Sequence, residues 1–195
     1  MRIGTIISFS VVVAWLVIAL ISPFVINGVN AVDLEQLFSG PSKNGFFGYD
    51  DLGRDIGLRV LQGSTVSCAV ATFVVSVSVL IGTMFGMFIG WHGGLIDLIG
   101  VRVMDIFLAF PGILLAIALA AVLGPGIENV LIALSIVSWV GFARLSRAQT
   151  LTVKHRDHVI VAQALGTPAL AICYRHVLPL ILAPIIVEAT FAIAA

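Results

Sequence analysis

A few residues in this chain have the type and spacing to do chemistry. His155 and His158 stand three apart, a spacing at which two imidazoles share a helix face and can share a metal ion. They sit among Lys154, Arg156 and Asp157, where solvated or headgroup-facing rings are the plainer reading, so no metal site and no cofactor are expected. Cys68 and Cys173 fall in separate segments without a Cys-x-x-Cys pattern and read as two buried thiols. Asp105 follows Arg102 by three residues and reads as its partner in a local helix pair. Glu188 differs, because it stands inside a stretch that is otherwise apolar. A carboxylate there either lines a polar path or bonds a neighbouring helix. Gly-x-Ser-x-Gly and His-Glu-x-x-His are missing from the sequence, as is any close carboxylate pair in a shared apolar setting, so no catalytic residue is expected. Gly-x-x-x-x-Gly-Lys-Ser/Thr is missing too, so the chain carries no phosphate-binding loop of this type.

The elements that must carry these residues are set by composition. Of 195 residues, 60% are hydrophobic and only 10% charged, and the mean hydropathy is +1.16. A soluble domain has about 25% charged residues, so the chain is expected to be an all-α integral membrane protein, a polytopic helical bundle embedded in a lipid bilayer. Ten basic residues balance ten acidic ones, which gives no reason to expect a nucleic-acid partner. The apolar run over 6–26 follows Arg2 and is long enough to span a bilayer, which takes roughly 20 residues. It is too long for a signal-peptide core and no convincing cleavage site follows, so it reads as an uncleaved first span. Further spans are expected within 66–90, over 106–123 up to the turn Gly124-Pro125-Gly126, over 129–143, and from 177 onward.

Orientation follows from the basic residues. The loop 27–65 holds Lys43, Arg54 and Arg59 against Asp33, Glu35, Asp50, Asp51 and Asp55. The loop 144–176 holds Arg144, Arg147, Lys154, Arg156 and Arg175 against Asp157 alone. The amino terminus and the second loop are therefore expected on the cytoplasmic side of the cell (inner) membrane, and the first loop outside. The chain divides on this reading into a first helix plus external loop (1–65) and a core (66–195). Ile56, Val60 and Leu61 with Arg59 suit a helix lying at the interface. Gly82, Gly86 and Gly90 put three small residues on one helix face, a surface for close helix packing.

The cytoplasmic loop has an internal design. Residues 156–165 form a helix sequence with Asp157 in its first turn. Gly166 sits where a helix ends with a left-handed residue, Thr167 suits an N-cap, and Pro168 suits the first position of a second short helix reaching about Val177. Its Arg175 and His176 lie near its negative end, and Leu178-Pro179 opens the last span. The first arm exposes Val159, Ile160, Val161, Ala162, Ala164 and Leu165, an apolar surface that needs cover from lipid headgroups or from a partner protein.

The corner A-Q-A-L-G-T-P-A-L-A-I-C-Y-R-H-V-L-P (162–179) resembles the "EAA" loop of ABC importer permeases. Three more stretches match the same family in order: G-Y-D-D-L-G-R-D (48–55), G-W-H-G-G-L-I-D-L-I-G-V-R-V-M-D-I-F-L-A-F-P (90–111) and G-F-A-R-L-S-R-A-Q (141–149). The chain resembles the second, "C"-type, permease subunit of dipeptide, oligopeptide and nickel importers. The resemblance implies a type I ABC importer permease fold with five spans present of an expected six. It implies a coupling loop at about 150–177 that docks on an ATPase through Val159, Ile160, Ala162, Leu165, Gly166, Thr167 and Pro168. It also implies, as partners, a second permease subunit, two cytoplasmic ATPase subunits and an external substrate-binding protein. Two departures stand out. Aligned on Gly166, Ile160 occupies the place of the motif's glutamate and Val161 that of its first alanine, with only Ala162 matched. The chain also stops within the fifth span and reads as truncated. The contrasting readings are a secondary transporter or channel, for which the inverted repeats it predicts are not found, and a membrane-anchored structural subunit.

Overall fold

The computed structural model describes residues 10, 12–15, 17–22, 29, 31–42 and 45–194. Arg2, Lys43 and part of the first span expected over 6–26 lie outside these residues; residues 12–15 and 17–22 are helical. The chain divides into two compact units, Met1–Val70 and Ala71–Ala195.

In the first unit the segment from residue 31 folds back on itself ahead of a helix. Asp33 N–H donates to Leu52 O, Phe38 N–H to Asp50 O and Tyr49 N–H to Ser39 O, each 3.0–3.1 Å. Gly53 takes φ +70 where any Cβ would collide with the Asp33 carbonyl, so only glycine fits this turn. Asp50 is the hub. Its Oδ1 accepts from the Leu52 and Arg54 N–H groups at 2.9 Å, and its Oδ2 from Arg54 Nε at 2.8 Å and from Arg59 Nη1. Burial of its side chain, 12% exposed, works against the charge. The donated hydrogen bonds and the Arg54 charge outweigh it and hold the carboxyl well below its ordinary 3.8. A folded-state value below the unfolded one means that the stabilisation is present above the ordinary value and is lost as pH falls through the folded one. Proteolysis within 31–55 is therefore expected to stay flat from neutrality down to about pH 4 and to rise only in stronger acid. Asp50→Asn should be cut faster at neutral pH, and equal cutting of the two forms in a pH-stepped digestion would refute the hub.

Helix α1, Ile56–His92, starts where Asp55 Oδ1 accepts the Leu58 N–H at 3.0 Å, an N-cap contact. Thr65 Oγ1 donates to Ala19 O at 2.9 Å, tying α1 to the first helical residues. Residues 56–61, expected to suit a helix at the interface, form the first turns of α1, which runs unbroken from Ile56 to His92. At roughly 1.5 Å per residue, α1 is much longer than a hydrocarbon core of about 30 Å.

The second unit holds most of α1 and five further helices. Helix α2 is Gly94–Leu108, α3 is Gly112–Leu123, α4 is Ile127–Val153, α5 is Asp157–Ala164, and α6 is the continuous helical stretch Ala169–Ala194. The single span expected over 106–123 is broken: α2 and α3 meet at an 80° bend. Pro111 explains it, since proline drives the preceding Phe110 out of helical conformation and brings no N–H of its own. The span expected over 129–143 runs on to Val153, so Arg144 and Arg147 lie on a helix and not in a loop; Gly141 alone does not end it. The short helix expected to end at about Val177, before Leu178-Pro179 opens the last span, instead continues into that span without a break. A π turn at Cys173–Val177, with Leu178 N–H donating to Cys173 O, widens the helix just before Pro179. In a regular helix the Pro179 ring would crowd the Arg175 carbonyl, and the wider turn makes room for it.

Among the described residues, α1, α4 and α6 are each long and apolar enough to cross a membrane, and the bent α2–α3 pair would make a fourth crossing. Two apolar clusters fill the unit. Ile89, Met104, Val140 and Ala143 join α1, α2 and α4. Val75, Phe142, Val153, Val159, Ala162, Ile172, Val177, Ile181 and Ile185 join α1, α4, α5 and α6. Gly82, Gly86 and Gly90 are buried on the α1 face toward α4. A Cβ on Gly82 would come within 2.5 Å of Trp139 O, and one on Gly86 would collide with Ala143 O. Ser146 Oγ crosses the same contact to Thr83 O at 2.8 Å, a hydrogen bond worth about 0.6 kcal/mol between membrane helices.

Candidate functional site

The corner between α5 and α6 closes with a Schellman motif. Gly166 takes φ +78 and its N–H donates to Gln163 O at 2.9 Å, while Thr167 N–H donates to Ala162 O at 3.1 Å. The next helix begins one residue later than its sequence suggests. Pro168, still extended at ψ 144, is the N-cap, so Thr167 is not the cap and Pro168 is not the first helical residue. Thr167 is spent on the Schellman bond.

Of the residues expected on the exposed face of the first arm, two are turned inward. Val159 is fully buried and Ala162 nearly so; both belong to the cluster built on Val153, Ile172, Val177 and Ile181. The reason is helical period: residues 159 and 162 share the face that α4 and α6 cover, and a solitary two-turn helix needs such anchoring to persist. Ile160, Val161, Gln163, Ala164, Leu165, Gly166 and Pro168 remain exposed, with Leu165 80% and Leu170 84% accessible. The result is an apolar lip, Ile160 to Leu170, seated on a rigid base. Arg144, Arg156 and Arg175 are exposed, and the rings of His158 and His176 lie 6.2 Å apart. Ile160 contributes no charge to this surface, so contact there must be apolar.

At the same end of the unit, α2 and α4 share an ion pair that sequence reasoning missed. Arg147 Nε donates to Asp97 Oδ1 at 2.5 Å and Nη2 to Oδ2 at 2.6 Å, a two-pronged contact. Lys154 Nζ donates to Gly90 O at 3.0 Å beside it. A signal existed: Asp97 is the first charge after the uncharged run from Val60, and strict alternation of spans puts it on the same side as Arg147. Asp105 pairs with Arg102 at 3.8 Å on the exposed side of α2.

Glu188 is exposed on α6, three residues beyond buried Ile185. An apolar cavity of about 370 Å³, lined by Phe73, Val77, Phe107, Ile132 and Trp139 with Ser135, offers a ligand no charged group. Among the described residues no group of three or more metal-ligating side chains converges.

Residues 82–195 match the model of a family described as "Binding-protein-dependent transport system inner membrane component". The chain is 38% identical over 186 residues to the dipeptide transport system permease protein DppC of Alkalihalophilus pseudofirmus, covering 95% of this chain and 61% of that protein. It is 43% identical over 164 residues to the glutathione transport system permease protein GsiD of Escherichia coli, covering 84% and 54%. Against GsiD of Pectobacterium atrosepticum it is 43% identical over 150 residues, covering 77% and 50%. The chain thus spans between half and about three-fifths of the length of these relatives.

Proposed function

Because this chain belongs to the family of binding-protein-dependent transport system inner membrane components, we propose that it acts as a permease subunit of an ATP-driven importer. In this reading it forms part of a translocation path together with a second permease subunit. The α5–α6 corner is the coupling surface on which a cytoplasmic ATPase subunit docks, one of two such subunits, and an external binding protein delivers the solute. The observation that carries the reading is the apolar lip from Ile160 to Leu170, held out by buried Val159 and Ala162. Exposed apolar surface of this kind calls for a protein partner. The excess of basic residues over 144–176 also favours a cytoplasmic side for the corner, and with it a cytoplasmic amino terminus.

Closure of an ATPase pair would displace the two coupling corners, and the spans would rearrange around the path in alternating access. The chain itself is a transporter subunit and not an enzyme. Small peptides are the proposed substrate class, supported by relatives whose names specify dipeptide and glutathione transport; nickel or another small solute is the alternative within the family. Glu188, an exposed carboxylate on a membrane helix, is the candidate path-lining residue, since such a group needs water or a partner beside it.

Co-purification tests the reading. A P-loop ATPase should be recovered with this chain and be lost on Gly166→Pro, which removes a hydrogen-bonding N–H and forbids φ +78. Reconstituted transport by this chain alone without ATP would sink it.

A further inference from the structure

We propose that the Asp97–Arg147 pair is the positioning contact through which the α5–α6 corner moves the α1–α2 hairpin; the proposal rests on the permease reading above. Arg147, Val153, Lys154 and Val159 follow one another along the end of α4 and the start of α5. Val153 and Val159 are buried in one cluster, so a push on α5 enters α4 directly. From α4, the two-pronged Arg147–Asp97 bond reaches α2, while Lys154 Nζ reaches the last turn of α1 at Gly90 O and Ser146 Oγ reaches α1 at Thr83 O. The hairpin turn between α1 and α2, Gly93 and Gly94, has φ +69 and +56, and Gly93 N–H donates to Ile89 O at 3.0 Å.

Apolar contacts between α2 and the rest of the unit fix distance but allow sliding. Gly100 lies against Ile89, where a Cβ would come within 2.6 Å of its side chain, and Met104 packs beside Val140 and Ala143. A guanidinium fork on a carboxylate fixes direction and register as well. Both side chains are largely withdrawn from solvent, 28% and 18% exposed, so neither charge is left to be satisfied by water alone. At its other end α2 stops at the 80° bend before Pro111. A displacement of α2 is therefore delivered to that break, where Phe110 is 59% exposed.

The test uses the full chain in its assembled complex, with Cys68→Ala and Cys173→Ala and a reporter Phe110→Cys, and compares alkylation of the reporter with and without ATP and vanadate. ATP should change the labelling rate by about tenfold, within the range of coupling between distant sites. Asp97→Asn should reduce that change below about twofold while the ATPase still co-purifies, and the exchange Asp97→Arg with Arg147→Asp should restore it. Should Asp97→Asn fail to assemble, the exchanged pair decides alone, an ATP response supporting the proposal and none overturning it. An unaltered ATP response in assembled Asp97→Asn overturns it. So does a wild-type complex that binds ATPase but shows no response at Phe110. Failure of the wild-type chain to bind any ATPase would instead refute the permease reading.

Discussion

Gly86→Ala is expected to destabilise the protein by roughly 2–3 kcal/mol, near the upper end for overpacking a single methyl group. The added Cβ would strike the Ala143 carbonyl oxygen and lie 2.9 Å from both Ala143 C and Arg147 N. Those are backbone atoms of α4, so no side-chain rotation relieves the clash. α1 must lift away, and it takes with it the Ser146–Thr83 hydrogen bond and the packing of Ile89 against Val140 and Ala143. Gly63→Ala, on the same helix with nothing within 4 Å of the added carbon, is the control. There the gain in helix propensity, about 0.5–1 kcal/mol, should leave the melting temperature unchanged or raised. Thermal unfolding in detergent followed by loss of monodisperse protein measures both. Equal melting temperatures for the two variants would overturn the close contact of α1 with α4.

The second large effect contrasts neighbours on one turn. Val159→Asp should cost about 3–5 kcal/mol, because it places an unpaired carboxylate among Val153, Ile172, Val177 and Ile181. The α5 arm would detach from its base, and protease should then cut within 155–168. Ile160→Asp changes a side chain that is 48% exposed and should shift stability by less than about 0.5 kcal/mol. Under the proposed docking of an ATPase on the lip, it should nonetheless weaken recovery of that subunit, since the lip offers an apolar contact at that position. Susceptibility to protease in Ile160→Asp equal to that in Val159→Asp would contradict the burial pattern on which the lip rests.

Both predictions turn on features that were only half legible beforehand. The glycine spacing at 82, 86 and 90 marked a packing face, but the helix it meets, and the fact that the contact is backbone against backbone, came from the fold. The arm over 157–164 was readable as a helix ending at Gly166, yet its inward and outward faces were not. Its polar residues, Asp157, His158 and Gln163, are scattered round the helix among the apolar ones, so hydrophobic period could not choose between Val159 and Ile160. The break at Phe110-Pro111 carried a local signal that the long apolar run around it concealed. Asp97 and Arg147 lie fifty residues apart, and only the pairing of α2 with α4 brings them together.

What the sequence determined by itself was a membrane class, a polarity of charge between two loops, a glycine corner and a set of ordered motifs. All of these depend on composition or on residues close along the chain, where steric and hydrogen-bonding rules act locally. The tertiary structure decided which residues face which: two arm residues inward, the lip outward, and an acid of one helix against an arginine of another. Those choices depend on how whole helices pack, and in a chain this uniformly apolar many packings satisfy the local rules equally well. The close approach at Gly86 and the forked contact at Asp97 are where the fold selects one of them.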